Sequence, residues 1–335
     1  MLKSLLLILI IATTSLAQDA TKQLSEIISG VEKQLTSLKV SDDLKQQCTN
    51  DLADARANLK LGNSYLTLYT VRTCQLELAS LAYAEAKSDL STKGSEAFEA
   101  EWRQLGNTLV EKEKGLSDRT SKAPAVIVAL ADVSQSQARP YYQSGRLYAL
   151  NSNMAEGLYY LGRAPANLDF AILCRGLHLS RPKKATTEFR SPQPELIKLE
   201  TAALRTYKTA DVSTQQSQYN RLNSNLKIAA ELIKDKMYEG ALLKYLESKL
   251  YFGLIITTAE KEDLEHLRAR TKEAAKLLNS ESADHSIGLL FWQIADRSLN
   301  PSGKVEPSAA QIKRAVVILD QVLPGYFDYL KETRQ

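Results

Sequence analysis

The sequence predicts an all-α protein made of antiparallel helical hairpins that stack as an α-solenoid or an elongated bundle. The chain of 335 residues holds 14 glycines and 9 prolines, whereas leucine, alanine, lysine, glutamate and glutamine, which favour helix, are abundant. Apolar residues recur every three or four positions along most of the chain, which is the period of an amphipathic helix. No two segments alternate apolar and polar residues in the way that paired strands would.

Residues 1–17 predict an export signal. Lys3 gives a positive start, Leu5–Ile11 form an unbroken apolar run, and Ser15-Leu16-Ala17 supplies the small residues that signal peptidases accept. The alternative is a buried or membrane-anchoring helix, but a helix that spans the hydrocarbon core needs about 20 apolar residues. We therefore expect a mature chain that begins near Gln18, has no transmembrane segment and is periplasmic or extracellular.

The charge of the chain argues against nucleic acid as a partner. With 43 lysines and arginines and 39 aspartates and glutamates, the formal net charge is +4, and the two signs are interspersed. A nucleic-acid-binding domain would carry a basic stripe or a stronger positive charge. We predict no nucleic-acid partner.

Four helices, read as two hairpins, are predicted after the export signal. The first carries a single apolar stripe formed by Leu24, Ile27, Ile28, Val31, Leu35 and Leu38. The others are expected from the cap Ser41 to Gly62, from about Tyr65 to Leu90, and from Ser95 to Gly115–Ser117.

Cys48 and Cys74 are expected to face each other. They lie on the second and third helices, equidistant in sequence from Leu61, beside the predicted Gly62-Asn63 turn. Antiparallel helices joined by a tight turn bring such positions together, and an oxidising compartment allows a disulfide between them. The alternative is two small apolar residues buried on neighbouring helices. Cys174 is predicted to be packed and not reactive, because no histidine nearby pairs with it.

The segment 124–133 is the one place where a strand competes with a helix. Ala125-Val126-Ile127-Val128 is apolar and mostly β-branched. A helix is favoured because Ser121 can cap it, Pro124 suits a first helical turn, and no partner strand exists. Pro140 is expected to break or restart this helix.

The strongest boundary in the sequence lies at 179–194, where three prolines and four cations argue against a continuous helix. We predict a linker or long loop there, between an N-terminal helical-hairpin domain at 18–178 and a C-terminal helical domain at 195–335. Helices in the second domain are expected at about 194–210, 213–234, 237–256, 260–279 and 283–298, before a final pair broken by Pro324-Gly325.

Two segments carry a pattern of small and aromatic residues at helical spacing. Tyr141-x2-Ser144-Gly145-x2-Tyr148, with Gly157 and Leu161, falls within 139–175, and Ile228-Ala229-x2-Leu232, with Ala241-x3-Tyr245, falls within 222–255. This pattern resembles the tetratricopeptide repeat, in which small residues let paired helices approach closely. The resemblance implies helical hairpins that bind other proteins.

No pattern in the sequence indicates catalysis or metal binding. The three histidines, His178, His266 and His285, lie outside any zinc-binding spacing. Acidic residues at 262, 263 and 265 could support acid–base chemistry with His266, but mixed charges on a helix usually form a solvated face. Ser302-Gly303-Lys304 lacks the spacing of a phosphate-binding loop, and no G-x-S-x-G element is present. We predict no catalytic residue, no metal site and no cofactor.

Tyrosine and arginine residues, which are enriched in binding hot spots, concentrate in 139–175. Helical spacing places Tyr142 and Arg146 on one face and Tyr141 and Tyr148 on another, so that one face can pack while the other binds. The predicted partner-binding residues are Arg139, Tyr142, Arg146, Asn151, Asn153, Tyr159 and Arg163. The alternative interpretation is that most of these tyrosines, notably Tyr141, Tyr148 and Tyr160, fill the core.

Together these features predict an exported, non-catalytic scaffold or adaptor that binds a protein or peptide in the cell envelope. The second hypothesis is an envelope-acting enzyme or small-ligand receptor with a cleft between two helical lobes. The third is a structural bundle that self-associates. The sequence does not predict the oligomeric state.

Overall fold

A computed structural model of the chain describes residues 2–116, 123–177, 179, 189–207, 212–258, 263–279, 283–301 and 305–333, with side chains from Ala20 onwards except at 207, 212–214 and 333. Every regular element in these ranges is helical, so the predicted all-α fold is confirmed. The helices are α1 Leu2–Ser37, α2 Asp42–Lys60, α3 Ser64–Ala86, α4 Leu90–Lys93, α5 Ser95–Lys114, α6 Ala125–Leu150, α7 Met154–Gly176, α8 Gln193–Tyr207, α9 Val212–Lys234, α10 Tyr238–Ile256, α11 Leu264–Leu278, α12 Ser286–Leu299, α13 Ala309–Val317 and α14 Leu323–Thr333.

The chain divides into two compact units. Unit 1 comprises Met1–Ala123 and Ser134–Ser180, and unit 2 comprises Pro124–Val133 and Arg181–Gln335. The predicted N-terminal domain, 18–178, included residues 124–133, which instead cluster with unit 2. The cause is a long-range cap on α6, described below. Most of the predicted linker at 179–194 lies outside the described residues, and α8 begins within it.

The core of unit 1 begins with the apolar stripe of α1. Leu24, Ile28, Val31 and Leu35 are buried, as the periodicity predicted. The Ser41 hydroxyl accepts a hydrogen bond from the Leu44 amide at 3.4 Å and caps α2. Between α2 and α3 the chain turns at Gly62, whose φ of 78° suits a residue without a side chain.

Cys48 and Cys74 face each other across α2 and α3. Their Cα atoms are 5.5 Å apart, which is a disulfide distance, and both side chains are fully buried. The structure therefore confirms that the two cysteines face each other at a distance that allows a disulfide. Cys174 is also buried, and burial raises the pKa of its thiol, so it is packed as predicted.

Reducing this disulfide is expected to lower the free energy of unfolding by about 3 to 4 kcal/mol, because the cross-link restricts the unfolded chain across the 26 positions that separate the cysteines. Thermal unfolding of the oxidised protein, the reduced protein and a Cys48→Ala/Cys74→Ala variant measures the effect. The variant should melt like the reduced protein and be insensitive to reductant. Equal melting temperatures for all three would contradict the cross-link.

Helix α6 contains a proline, Pro140, at which the sequence predicted a break. Residues 125–133 are helical, as predicted, but α6 then continues through Pro140 to Leu150, so the expected break there is wrong. A proline ring removes one backbone donor, and α6 absorbs that single loss because side chains on both of its faces are packed on neighbouring helices.

Unit 2 is organised around α10, which packs against α9 and α8 and is buried over most of its length. Gly253 allows α10 to approach Val317 at the end of α13. The predicted break at Pro324-Gly325 is wrong. A π-helical segment, Ile318–Val322, joins α13 to α14 just before Pro324. The Leu323 amide donates to the Ile318 carbonyl oxygen, so the chain stays helical up to and across the proline.

Candidate functional site

The predicted partner-binding residues all lie in unit 1, on α6, α7 and the turn between them. Helix α6 presents two packed faces, as helical spacing requires. Tyr142 and Arg146 contact α5, whereas Tyr141 and Tyr148 contact α7. Both faces are therefore engaged inside the unit.

Tyr142 is an internal packing residue. Its side chain is 5% exposed, its ring stacks on Trp102 with centroids 4.8 Å apart, and its hydroxyl donates to the Trp102 carbonyl oxygen at 2.8 Å. The same hydroxyl lies so close to Gly106 that a Cβ there would be 2.5 Å away. Burial raises the pKa of Tyr142. The ring expected to face a partner is thus covered by α5.

Arg139 and Arg146 form two-pronged ion pairs with glutamates of α5. Arg139 donates from Nε to Glu113 Oε1 at 2.7 Å, and Arg146 donates from Nε to Glu99 Oε1 at 2.9 Å. The hydrogen bonds to these carboxylates raise the pKa of both guanidinium groups. The Arg146 guanidinium also lies 4.4 Å from the centre of the Trp102 ring. Both arginines fasten α5 to α6.

Tyr159 and Arg163 form a cluster with Glu77 of α3. The Tyr159 hydroxyl donates to Glu77, and Arg163 contacts both Glu77 Oε1 at 2.5 Å and the Tyr159 hydroxyl at 2.8 Å. The Arg163 side chain is 13% exposed. Burial alone would lower the pKa of Arg163, but the negative charge of Glu77 produces a net increase. The cluster joins α3 to α7 and satisfies its own charges.

Three tyrosines stack between α6 and α7. The Tyr160 ring lies between Tyr141 and Tyr148, at centroid distances of 5.8 Å and 4.9 Å and with nearly parallel planes. Arg163 covers Tyr141 at 5.3 Å from its ring centre. All three rings are partly buried. This arrangement follows the alternative interpretation, in which these tyrosines fill the interior of the hairpin.

A pair of glycines sets the distance between α6 and α7. A Cβ on Gly145 would lie 2.9 Å from the Gly157 carbonyl oxygen, and a Cβ on Gly157 would lie 2.8 Å from the Gly145 carbonyl oxygen. Real Cβ atoms do not approach backbone oxygens so closely. The two helix backbones therefore cross in contact, which fixes the turn that joins them.

The turn between α6 and α7 carries the exposed part of the predicted site. Asn151 and Asn153 are exposed, and Asn153 caps α7 by accepting from the Glu156 amide at 3.3 Å. Beside them, Leu147 and Leu150 are each 60% exposed. We refer to Leu147, Leu150, Asn151 and Asn153 as the turn patch.

Sequence reasoning missed the two leucines of the turn patch. Gln143, Leu147 and Leu150 recur at helical spacing on a third side of α6, and all three are exposed. This side belongs neither to the residues that meet α5 nor to those that meet α7. Two leucines outside both packed faces were the signal in the sequence that could have identified the patch.

The buried segment Asp284–Ser286 in unit 2 looks like a catalytic set but has a structural role. Asp284 Oδ2 accepts from the Ala125 amide at 2.9 Å, and Ser286 Oγ accepts from the Val126 amide at 3.0 Å, so the two side chains cap α6. His285 Nδ1 lies 3.3 Å from the Tyr326 hydroxyl. The histidine is thus directed at a tyrosine, and the geometry does not match a nucleophile activated by a base.

Other predicted features can be placed only in part. Asp263 caps α11 by accepting from the Glu265 amide at 3.0 Å, and His266 is exposed. His178, Glu262 and the segment 302–304 lie outside the described residues. Among the residues that are described, no group of three or more histidine, cysteine, aspartate or glutamate side chains is arranged to hold a metal ion.

Within the described helices, none is both long enough and apolar enough to span a membrane. Comparison of the chain with models of protein families, with curated proteins and with solved structures gives no match. The resemblance to tetratricopeptide repeats therefore stays a prediction.

Proposed function

We propose that this chain is an exported, non-catalytic helical scaffold or adaptor that binds a protein or peptide of the cell envelope through the turn patch. The observation that supports this most strongly is the exposure of Leu147 and Leu150, each 60% accessible, at one end of α6. Adjacent exposed apolar side chains rimmed by polar groups are typical of a protein-binding surface.

The chemistry of the turn patch favours a peptide or protein over a charged ligand. The patch holds two apolar side chains and two amides and no ionised group. The Asn151 side chain makes no hydrogen bond within the described part of the chain, so its amide can both donate to and accept from a backbone segment. A partner would bury the leucines and pair its backbone with Asn151.

The packing beneath the turn patch favours binding without a large ordering cost. Gly145 and Gly157 fix the crossing of α6 and α7, and Asn153 fixes the first turn of α7. Arg146 holds the same end of α6 to α5 through Glu99. The predicted arginine and tyrosine residues thus support the patch from behind, and a preformed surface loses little entropy on binding.

Site-specific photocrosslinking tests this proposal without a known partner. A photoreactive phenylalanine analogue at position 147 should capture a protein or peptide in cells that produce the chain. The matched control is position 61, where Leu61 is 64% exposed at the α2–α3 turn of the same unit. A discrete adduct at 147 and none at 61 is the expected result. No adduct at 147, or equal adducts at both positions, would contradict the proposal.

Export has its own test, the intact mass of the protein recovered from producing cells. We expect a chain that starts at Gln18, because signal peptidase accepts the small residues before it, and that is two hydrogens lighter because Cys48 and Cys74 are joined. Replacing Ala17 with a bulky residue should block cleavage. An uncleaved chain with three free thiols would rule out the export hypothesis.

A further inference from the structure

Helix α8 in unit 2 carries apolar residues on two sides, and among the described residues only one of these sides is covered. Leu196, Leu199 and Ala203 are buried, and α8 packs on α9 and α10. On the other side Ile197 is 53% exposed and Leu204 is 64% exposed. A helix that needed only to cover the core would place polar residues on that second side.

The exposed residues of α8 follow the heptad spacing of a coiled coil. With Ile197 and Leu204 at d positions, Thr201 and Pro194 fall at a positions. The Thr201 hydroxyl donates to the Ile197 carbonyl oxygen at 2.9 Å, within its own helix. Its polar group is therefore satisfied, and its methyl group is free to pack. Pro194 lies in the first turn, where its missing donor costs no helical hydrogen bond.

We refer to Ile197, Thr201 and Leu204 as the α8 seam. The charges beside the seam specify how a second helix would pair with it. Glu200 occupies a g position and Arg205 the following e position, and both are exposed. In a parallel pair each g residue faces the e residue five positions later in the partner, so Glu200 would meet Arg205 of a second α8 twice. In an antiparallel pair, g would face g and e would face e, which opposes like charges.

We propose that the exposed side of α8 binds the same side of α8 in a second copy of this chain, as a parallel two-fold dimer. The seam is self-complementary, because Ile197, Thr201 and Leu204 pack on their own copies while Glu200 pairs with Arg205 in both directions. This inference goes beyond the proposed function and is independent of it, since the turn patch belongs to unit 1 and α8 to unit 2.

Sedimentation velocity over concentrations up to about 100 µM tests the dimer. Wild-type protein should show a reversible monomer–dimer equilibrium. Ile197→Asp/Leu204→Asp should remain monomeric and should melt like the wild type at a concentration where the wild type is monomeric, because both side chains are exposed. The control, Leu277→Asp, alters a leucine that is 61% exposed on α11 and should dimerise like wild type. A monomeric wild type, or a dimeric Ile197→Asp/Leu204→Asp variant, would overturn the proposal.

Charge reversal distinguishes the parallel arrangement from other dimers. Glu200→Arg or Arg205→Glu alone should weaken dimerisation by about tenfold or more, because each places like charges together twice. The double variant restores opposite charges and should recover most of the wild-type affinity. Single variants that dimerise as tightly as wild type, or a double variant as weak as the single ones, would overturn the parallel pairing.

Discussion

Asp284→Ala is expected to lower the free energy of unfolding of unit 2 by about 3 kcal/mol. The fully buried Asp284 carboxylate accepts from the Ala125 amide at 2.9 Å and from the Ser286 amide at 3.0 Å. Removing it leaves both donors buried without this acceptor, and a buried unsatisfied donor costs about 1 to 3 kcal/mol. It also removes a negative charge from the N-terminus of α6, where the helix dipole favours one.

Hydrogen exchange locates this effect, because the amides of Ala125 and Val126 should lose protection before the rest of α6. The matched control is Asp263→Ala, since Asp263 caps α11 in the same way from an exposed position and should cost about 1 kcal/mol or less. Asp284→Asn keeps one acceptor oxygen, so its loss of stability should lie between those of Asp284→Ala and Asp263→Ala. Equal losses for Asp284→Ala and Asp263→Ala would show that the long-range cap is not formed.

Gly145→Ala and Gly157→Ala are each expected to destabilise unit 1 by about 3 kcal/mol. Each added Cβ would meet a backbone oxygen of the facing helix within 3.0 Å, so the helices must separate and the tyrosine stack between them must loosen. The double variant should lose less stability than the two single variants combined, because the helix separation caused by the first alanine makes room for the second.

Gly30→Ala is the matched control for these glycines. Gly30 lies inside α1 with nothing within 4 Å of an added Cβ, so alanine should stabilise the protein by about 0.5 to 1 kcal/mol through helix propensity. Chemical denaturation of the wild type and the four variants measures all of these effects. Loss of stability in Gly30→Ala, or none in Gly145→Ala and Gly157→Ala, would contradict the close crossing.

Periodicity predicted the helices well because apolar positions at helical spacing are the ones buried against neighbouring helices. The stripe of α1 and the pairing of Cys48 with Cys74 both follow from spacing, since positions equidistant from a tight turn must meet. Local sequence was insufficient where a residue distant in the chain caps a helix. Nothing near Ala125 indicates that Asp284 caps it, so the assignment of 124–133 to unit 2 could not be derived from the sequence.

Composition identified the region of the candidate site but not the roles of its residues. Tyrosine and arginine serve both partner binding and internal packing, and only the position of α5 shows that Tyr142 and Arg146 are engaged within the unit. Prolines were overestimated as helix breaks for a similar reason. At Pro140 the helix continues between packed neighbours, and at Pro324 it continues after a π-helical segment, neither of which local propensity predicts.

The most direct test of this account separates the turn patch from the residues that support it. With the photoreactive analogue at position 143, an exposed position one helical turn before Leu147 and outside the turn patch, Leu147→Asp/Leu150→Asp should abolish the adduct and leave the melting temperature unchanged, because both leucines are exposed. Arg146→Ala should retain the adduct, because Arg146 faces α5. An adduct that survives in Leu147→Asp/Leu150→Asp but disappears in Arg146→Ala would contradict the proposal. It would indicate that the tyrosine and arginine residues bind the partner instead of the turn patch.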